Sequence, residues 1–247
     1  MPPAPAFNLP KLDPEHPRVR VLTEDEIRIF WNGLDRDDLP WDRKTRLALK
    51  FELVTMLRSN ELLGAQRSEL FDLDGEHPRF DVPLKRVKKR RVIQQPLCCL
   101  AVEIINEALT SDKQQFVFAS PLGDQPLGRL SMATALRGTK KRKGGKMVTK
   151  TPGIRALLGL KPFTPRDLRR TSATLAGDLG FDDAWIAKCL DHAASKKGES
   201  VVPSVTGKVY NHSKRMKEKR AVLDGIAAEL RRIIGVPAVK VGLWLAA

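Results

Sequence analysis

The sequence has few of the residues that build disulfide frameworks and metal sites. Its 247 residues include only three cysteines and four histidines. Cys98 and Cys99 are adjacent, and Cys189 lies far from them in the chain. Because this spacing fits neither a disulfide framework nor a zinc site, we expect a reducing compartment, no metal ion and no other cofactor.

Long apolar segments are absent as well. No stretch approaches the length of a membrane-spanning helix, and the proline-rich residues 1–5 lack the apolar run of a signal peptide. These absences favour a soluble, cytoplasmic protein without a membrane partner. Aromatic residues are also scarce, at 6% of the chain, and Tyr210 is the only tyrosine. A reaction that needs a phenol group can therefore use only this residue.

Acidic residues are outnumbered by basic ones. The chain has 44 Lys and Arg against 29 Asp and Glu, which gives a formal net charge of +15. The excess is clustered, because six of the seven residues 85–91 are basic, residues 140–155 are another basic stretch, and residues 24–42 lean acidic. Charge alone would suit DNA, RNA or a membrane surface, and each basic run could be only a solvated loop. The clustering nevertheless favours a polyanionic partner.

Apolar periodicity predicts a mainly α-helical domain of the α+β type over residues 19–234. An irregular proline-rich arm, residues 1–18, precedes it, and an apolar tail, residues 235–247, follows it. Helices are predicted after Thr23, at about 44–58, 61–68, 101–109 and 165–179, from Asp182 or Asp183 onward, and at about 214–234. The helix after Asp182 is expected to bury Trp185, Ile186 and Leu190.

Three short segments predict a small three-stranded antiparallel sheet, at residues 71–73, 80–84 and 92–95. Residues 138–153 contain four glycines and several lysines without apolar periodicity. They predict a mobile basic loop rather than a regular element.

The stretch from Thr164 to Thr171 carries the strongest local signal. Thr164 and Asp167 have the spacing of a helix capping box, and Pro165 occupies the first helical position. Arg166 and Arg169 are three residues apart on the helix that follows, close to its positive end. Two guanidinium groups could converge there on one anion, and a phosphate is the obvious candidate.

Five motifs over about residues 20–234 resemble, in order and at similar spacing, the catalytic domain of the tyrosine recombinases, the phage-type integrases. The motifs are Thr55-Met56-Leu57-Arg58-Ser59-Asn60-Glu61, Lys88 ahead of Gln95-Pro96-Leu97, Arg166-Asp167-Leu168-Arg169, Leu190-Asp191-His192, and Val209-Tyr210-Asn211-His212. This resemblance implies the helical fold of that domain with a small sheet, and a protein encoded by a bacterium or a phage that acts at the nucleoid.

The resemblance also implies a reaction. Tyr210 would attack a DNA phosphate and form a 3′-phosphotyrosyl intermediate, which a 5′-hydroxyl would later reverse, without a metal ion. The residues that would complete this catalytic set are Arg58, Lys88, Arg166, Arg169 and His192. Lys89 remains an alternative to Lys88, because a slip of one residue in a hairpin moves a side chain to the other face.

The implied partner is double-stranded DNA at an attachment-type site, bound by an oligomer of up to four protomers. The residues expected to contact this DNA are Lys85, Arg86, Lys89, Arg90, Lys140, Lys141, Arg142 and Lys143. No separate core-binding domain is expected ahead of residue 19, and the apolar tail is expected to dock on a neighbouring protomer. The competing hypothesis is a catalytically decayed integrase that acts only as a DNA-binding module.

Three residues depart from the family pattern. Arg166 stands where the family generally has histidine, and Met56 and Asp191 stand where it has glycine. Since arginine cannot be deprotonated in a protein, Arg166 is expected to bind phosphate rather than act as a base, which leaves water or His192 to take the proton of Tyr210.

Overall fold

A computed structural model describes residues 20–87, 91–143, 146–191 and 214–235, with only the backbone described at residue 146. Several of the predicted features lie outside these ranges. They are the N-terminal arm, Lys88, Lys89, Arg90, His192, Tyr210 and all but the first residue of the apolar tail.

The described residues form a mainly helical fold, as predicted. The helices are α1 (Glu24–Gly33), α2 (Arg43–Thr55), α3 (Ser59–Leu62), α4 (Cys99–Ala108), α5 (Ser131–Arg137), α6 (Ile154–Leu157), α7 (Pro165–Asp178), α8 (Asp183–Cys189) and α9 (Met216–Ile234). The strands are β1 (Leu70–Phe71), β2 (Arg79–Val82), β3 (Ile93–Pro96), β4 (Ala119–Ser120), β5 (Gly123–Pro126), β6 (Gly138–Lys143) and β7 (Lys146–Pro152). Within the described residues, no helix is both long enough and apolar enough to cross a membrane.

Helix α2 lies at the centre of the fold. It packs against α4, α5, α7 and α9, and most of its residues are buried. The ring of Phe51 on α2 contacts the rings of Phe80 and Phe118, with centroids 6.5 and 5.4 Å away. The end of α2, which leads into Arg58, is therefore held in position by most of the core.

The predicted three-stranded sheet is confirmed, with the order β1-β2-β3 and both pairs antiparallel. Phe80 of β2 lies opposite Gln95 of β3, and both are buried. Strand β3 also packs against α9. Ile93, which begins β3 two residues after the basic run 85–91, is buried in the core.

The prediction of a mobile loop over residues 138–153 is wrong. Residues 138–143 and 146–152 form a two-stranded antiparallel ribbon, β6–β7, in which Lys140 pairs with Thr149 and Arg142 with Met147. The reason is that β-branched Val148, Thr149 and Thr151 favour strand structure, and long basic side chains can extend into solvent from a pleated ribbon. The glycines and lysines concealed this pattern in the sequence.

The predicted helix ends are mostly correct. The Thr23 hydroxyl accepts a hydrogen bond from the Glu26 backbone, and Gly180 adopts the left-handed conformation (φ +81°) after α7. The expectation for Trp185 is wrong, because its side chain is 36% exposed while the neighbouring Ile186 is buried. Helix α8 has only seven residues, so it offers a narrow apolar face that Ile186 and Cys189 fill.

Candidate active site

Helix α7 begins as its sequence predicts and places Arg166 and Arg169 at different depths. Asp167 Oδ2 accepts hydrogen bonds from the Thr164 backbone N–H (2.9 Å) and from the Thr164 hydroxyl (2.7 Å). Arg166, in the first turn, is exposed and forms no ion pair with any residue that the structure describes. Arg169, one turn later, is only 7% exposed. The two side chains thus differ in their access to a ligand.

The Arg169 guanidinium joins the ends of two helices. It donates one hydrogen bond to the carbonyl of Met56, which caps α2, and another to the carbonyl of Leu190, which caps α8. Both helices direct the negative end of their dipole toward it. Burial, followed by the charge of Arg58, lowers the pKa of Arg169 to about 10. The arginine is therefore held between two helix ends, with a second cation nearby.

Arg58 lies three residues beyond the end of α2 and shares a carboxylate with Arg169. Its Nη1 atom donates to Glu61 Oε1 at 2.7 Å, and its backbone N–H donates to Glu61 Oε2 at 2.8 Å. The same Oε2 atom lies 3.8 Å from Arg169 Nη1. The Arg58 side chain is 36% exposed, whereas Glu61 is buried. The structure thus brings two of the predicted arginines together around one carboxylate.

A second buried carboxyl group lies beneath this pair and was missed from the sequence. The Ser59 hydroxyl donates to Oε1 and Oε2 of Glu52, both at 3.1 Å. Burial raises the pKa of Glu52 to about 8, although the hydrogen bond from Ser59 and the charge of Arg169 oppose this rise. A signal was present in the sequence, because Glu52 interrupts the apolar stripe formed by Leu49, Leu53 and neighbouring residues.

The two residues that replace family glycines both have positive φ. Met56 has φ +57° and Asp191 has φ +47°. This is the left-handed region, which glycine enters without steric cost. Each of the two residues lies at the end of a helix that Arg169 caps. Arg169 binds the carbonyl of Met56 itself and the carbonyl of Leu190, which directly precedes Asp191.

Arg91 and Asp191 bring together two segments whose predicted catalytic residues lie outside the described ranges. Arg91 Nη2 forms an ion pair with Asp191 Oδ1 and also donates to the Asp191 carbonyl at 3.3 Å. Arg91 comes three residues after Lys88, and Asp191 directly precedes His192. On the same side, the Gln95 amide donates to the Thr55 carbonyl at 2.7 Å and to the Cys189 carbonyl at 3.5 Å. The ends of α2, α8 and the basic run therefore meet at one place.

Lys219 of α9 is a further buried cation that sequence reasoning missed. Its Nζ atom donates to the Gln94 carbonyl on β3, and its backbone carbonyl accepts a weak hydrogen bond from Cys189 Sγ at 3.8 Å. Burial lowers the pKa of Lys219 to about 8. Its contacts join α9 to the sheet and to α8, so its role in the described fold is structural.

Among the described residues, the basic side chains expected to bind DNA fall into two groups. Lys85 and the four basic residues of β6, Lys140 to Lys143, are exposed. Arg86 is instead mostly buried, because its guanidinium pairs with Glu69, donates to the Gly64 carbonyl and lies over the Phe80 ring. These contacts occupy the side chain within the fold, so we do not include Arg86 among the DNA contacts proposed below.

Comparison with known proteins agrees with this arrangement. The XerH site-specific recombinase, solved with its difH substrate in a pre-cleavage complex, is 19% identical, with a TM-score of 0.52 over 81% of this chain and 52% of that chain. A lambda integrase tetramer bound to a Holliday junction is 18% identical, with a TM-score of 0.53 over 74% of this chain and 49% of that chain. The chain thus spans about half the length of each, and the two likenesses show a shared fold.

No curated protein sequence gives a significant match. The sequence profile of the phage integrase family, in contrast, matches residues 20–215, which include α1 to α8 and every predicted catalytic residue. On this match, and with the fold and the clustered arginines in agreement, the chain belongs to the phage integrase family.

Proposed function

We propose that the protein is a site-specific DNA recombinase that cuts and rejoins DNA strands through a 3′-phosphotyrosyl bond to Tyr210. The observation that carries this proposal is the pair formed by Arg58 and Arg169 around Glu61. Arginine forks suit the oxygens of a phosphate, because their planar donors can bind two oxygens at once. Two such groups held close together form a site for one phosphodiester.

The electrostatics of the pair favour an anion that becomes more negative. The Arg58 charge helps to lower the pKa of Arg169, so the two cations repel each other in the free protein. A phosphate between them relieves this repulsion, and the additional charge of a phosphorane transition state relieves it further. Glu61 offsets the repulsion only in part, which leaves the site electropositive.

The division of labour between the two arginines follows from their burial. Arg169 is rigid, because it caps two helices, and it would fix the position of the phosphate. Arg58 is partly exposed, and only its Nη1 atom has a side-chain partner among the described residues, so Nη2 and Nε can bind phosphate oxygens. Arg166 is exposed one turn ahead of Arg169 and would supply a third cation. Side chains alone then provide the positive charge that the reaction needs.

The proton transfers are assigned to residues outside the described ranges. Lys88, or Lys89, would protonate the departing 5′-oxygen, since neighbouring cations in residues 85–91 favour loss of its proton. The proton of Tyr210 would pass to His192 or to water. The ion pair between Arg91 and Asp191 supports this assignment, because it holds the chain next to Lys88 against the chain next to His192.

The proposed substrate is double-stranded DNA at an attachment-type site, and the proposed active assembly has up to four protomers. XerH in complex with its difH substrate and a lambda integrase tetramer on a Holliday junction have the same fold, which supports this proposal. The net charge of +15 supports it as well. We place the protein in the cytoplasm, at the nucleoid.

The test is covalent trapping. Purified protein is incubated with a library of nicked duplexes whose sequence is randomised around the nick, and is then denatured. Cleavage close to the nick releases a short fragment that diffuses away, so the cut strand cannot be rejoined. We expect a protein–DNA band with the wild type and none with Tyr210→Phe. Because Tyr210 is the only tyrosine, nuclease digestion of the band followed by amino-acid analysis should yield phosphotyrosine from this residue alone.

A DNA-binding module without catalysis is the second candidate, and Arg166 is the residue that favours it. At the position where the family generally has a histidine, arginine cannot exchange a proton. DNA binding by the wild type without any covalent band would contradict the recombinase and support the module. In that case Arg166→His, in the same trapping assay, would show whether the missing proton acceptor is the cause.

A further inference from the structure

The β6–β7 ribbon carries positive charge on both of its faces. Directly paired residues of an antiparallel ribbon share a face, and faces alternate along each strand. From the register, one face carries Lys141, Lys143 and Val148, and the other carries Lys140, Arg142 and Met147. All six side chains are exposed, with Met147 at 62%. Neither face of the ribbon is therefore covered by the rest of the described protein.

The cations of the ribbon are not neutralised locally. Residues 138–153 contain no aspartate or glutamate. Across the described ranges, no ion pair involves any of the four basic residues of β6. An exposed ribbon that served only to keep the protein in solution would need charged residues on one face, and it would normally carry both acidic and basic residues. On β6 alone, four unpaired cations lie two on each face, which favours a ligand that presents negative charge on both sides of the ribbon.

The base of the ribbon is held tightly. Gly138 has φ +86°, and a Cβ atom there would lie 2.6 Å from the Gly153 nitrogen, so the two strands leave the core in close backbone contact. Trp41 Nε1 donates to the Pro152 carbonyl at 2.9 Å. The Arg155 side chain donates to the Leu136 carbonyl at 3.0 Å and to the Phe163 carbonyl at 2.6 Å. These contacts fix the ribbon to the segment that leads into α7, which carries Arg166 and Arg169.

We propose that the β6–β7 ribbon enters the major groove of DNA upright, so that each cationic face contacts the phosphates of a different strand. This inference builds on the proposed DNA substrate and specifies where the protein grips it. With side chains, a ribbon is about 10 Å thick, and six residues extend about 20 Å. The major groove is about 12 Å wide, which admits the ribbon, whereas the minor groove, at about 6 Å, does not.

The two-sided charge distinguishes this geometry from a ribbon lying flat on the DNA. A flat ribbon would place one face on the DNA and the other toward solvent, so only one pair of cations would contribute to affinity. An upright ribbon uses both pairs.

The experiment compares two double variants, each of which removes the two β6 cations of one face. They are Lys141→Gln/Lys143→Gln and Lys140→Gln/Arg142→Gln, measured on a 40-base-pair duplex over a range of salt concentrations. Each phosphate contact contributes about 0.9 to the slope of log affinity against log salt concentration. We expect each double variant to reduce this slope by about 1.8 and the quadruple variant to reduce it by about 3.6. The control Lys113→Gln/Arg129→Gln removes two exposed charges outside the ribbon and should leave the slope unchanged.

A reduction confined to one double variant would overturn the upright geometry. Wild-type slopes in all the ribbon variants would overturn the DNA contact altogether and point to an acidic protein partner. Chemical interference supplies a second criterion, because methylation at dG N7 in the major groove should block binding, and methylation at dA N3 in the minor groove should not.

The outcome is separable from that of the proposed reaction. The predicted slopes without a Tyr210 adduct would contradict the recombinase and leave the ribbon inference standing. A Tyr210 adduct together with unequal slopes for the two double variants would support the recombinase and contradict the upright ribbon. A wild type that does not bind DNA would contradict the recombinase and the ribbon inference alike.

Discussion

Glu52→Gln should stabilise the protein at neutral and higher pH. The Glu52 carboxyl group is buried, and burial raises its pKa from 4.5 to about 8. The group therefore holds its proton more tightly in the folded state than in the unfolded chain. Between pH 4.5 and pH 8, unfolding releases that proton, so the free energy of unfolding falls as pH rises through this window. Glutamine has the shape of the protonated carboxyl group and cannot ionise.

The size of the effect follows from the same pKa difference. At about 1.4 kcal/mol for each pH unit, the difference between 4.5 and about 8 corresponds to about 5 kcal/mol over the whole window. At pH 5 the variant and the wild type should differ by less than about 1 kcal/mol, because this pH lies only half a unit above the unfolded-state pKa of 4.5. At pH 8 the variant should be more stable by up to about 4 kcal/mol. Urea unfolding at pH 5, 6, 7 and 8 measures this divergence.

The matched control is Glu76→Gln, which removes an exposed carboxylate and should run parallel to the wild type across the same pH range. If Glu52→Gln also ran parallel, Glu52 would not be the titrating group. If Glu52→Gln were destabilising at pH 8, Glu52 would be ionised in the folded state and would neutralise Arg169, which is the reverse of the reasoning above.

Three further tests address Arg169, the base of the ribbon and the pair formed by Arg91 and Asp191. Arg169→Lys should lower the free energy of unfolding by about 2 kcal/mol in urea, since an ammonium cannot reach both helix ends; unchanged stability would contradict the double cap. Gly153→Ala should destabilise by about 1 to 3 kcal/mol through backbone overlap, whereas Gly177→Ala, in open space on α7, should be neutral or stabilising; equal effects would contradict the tight ribbon base. Asp191→Gly should change the free energy of unfolding by less than about 1 kcal/mol but should reduce the amount of trapped protein–DNA adduct. Arg91→Gln should reduce the amount of adduct as well. Wild-type amounts of adduct in both variants would exclude a role for the ion pair between Arg91 and Asp191 in the reaction.

The sequence predicts what depends on neighbours along the chain. The capping box at Thr164 and Asp167, the proline at the first helical position and the apolar spacing of α2 are local signals, and α2 and α7 begin and end within about three residues of the predicted positions. The helix predicted at about 61–68 instead ends at Leu62. The arginines predicted to be catalytic were identified through motif resemblance, and only the fold shows that Arg58 and Arg169 lie close together. Local signals thus located the elements, and resemblance named the residues on them.

Contacts between distant residues could not be predicted in this way. Arg86 belongs to a run of six basic residues, yet the fold places Glu69 and the Phe80 ring beside it, which gives it a structural role. Glu52 appears in the sequence as one charge on an apolar helix, and only tertiary packing shows that Ser59 binds it. The ribbon could not be distinguished from a loop in the sequence, because its glycines and lysines obscure the β-branched residues of β7. The contacts of Trp41 with Pro152 and of Gly138 with Gly153, which hold the ribbon where it leaves the core, are visible only in the structure. In each case the decisive partner lies in another part of the chain.

The positive φ angles at Met56 and Asp191 explain how Arg169 can be buried with so little direct help from carboxylates. A left-handed residue ends a helix, and the carbonyl groups of the last turn are then left without backbone donors. At the ends of α2 and α8 these carbonyls accept hydrogen bonds from Arg169, so two helix dipoles neutralise a cation that burial would otherwise destabilise. Glycine would adopt this conformation without strain, whereas each non-glycine residue costs about 1 kcal/mol.

The two residues offset that cost differently. Met56 is completely buried, so its side chain contributes apolar packing that glycine cannot. Asp191 belongs to a residue type that tolerates the left-handed region, and its carboxylate binds Arg91. Because both positions serve to expose carbonyls to one arginine, their backbone conformation is required by the site, and their side chains are free to vary as long as they compensate the strain. This explains why the glycines of the family pattern can be replaced here while the arginine between the two helix ends is retained.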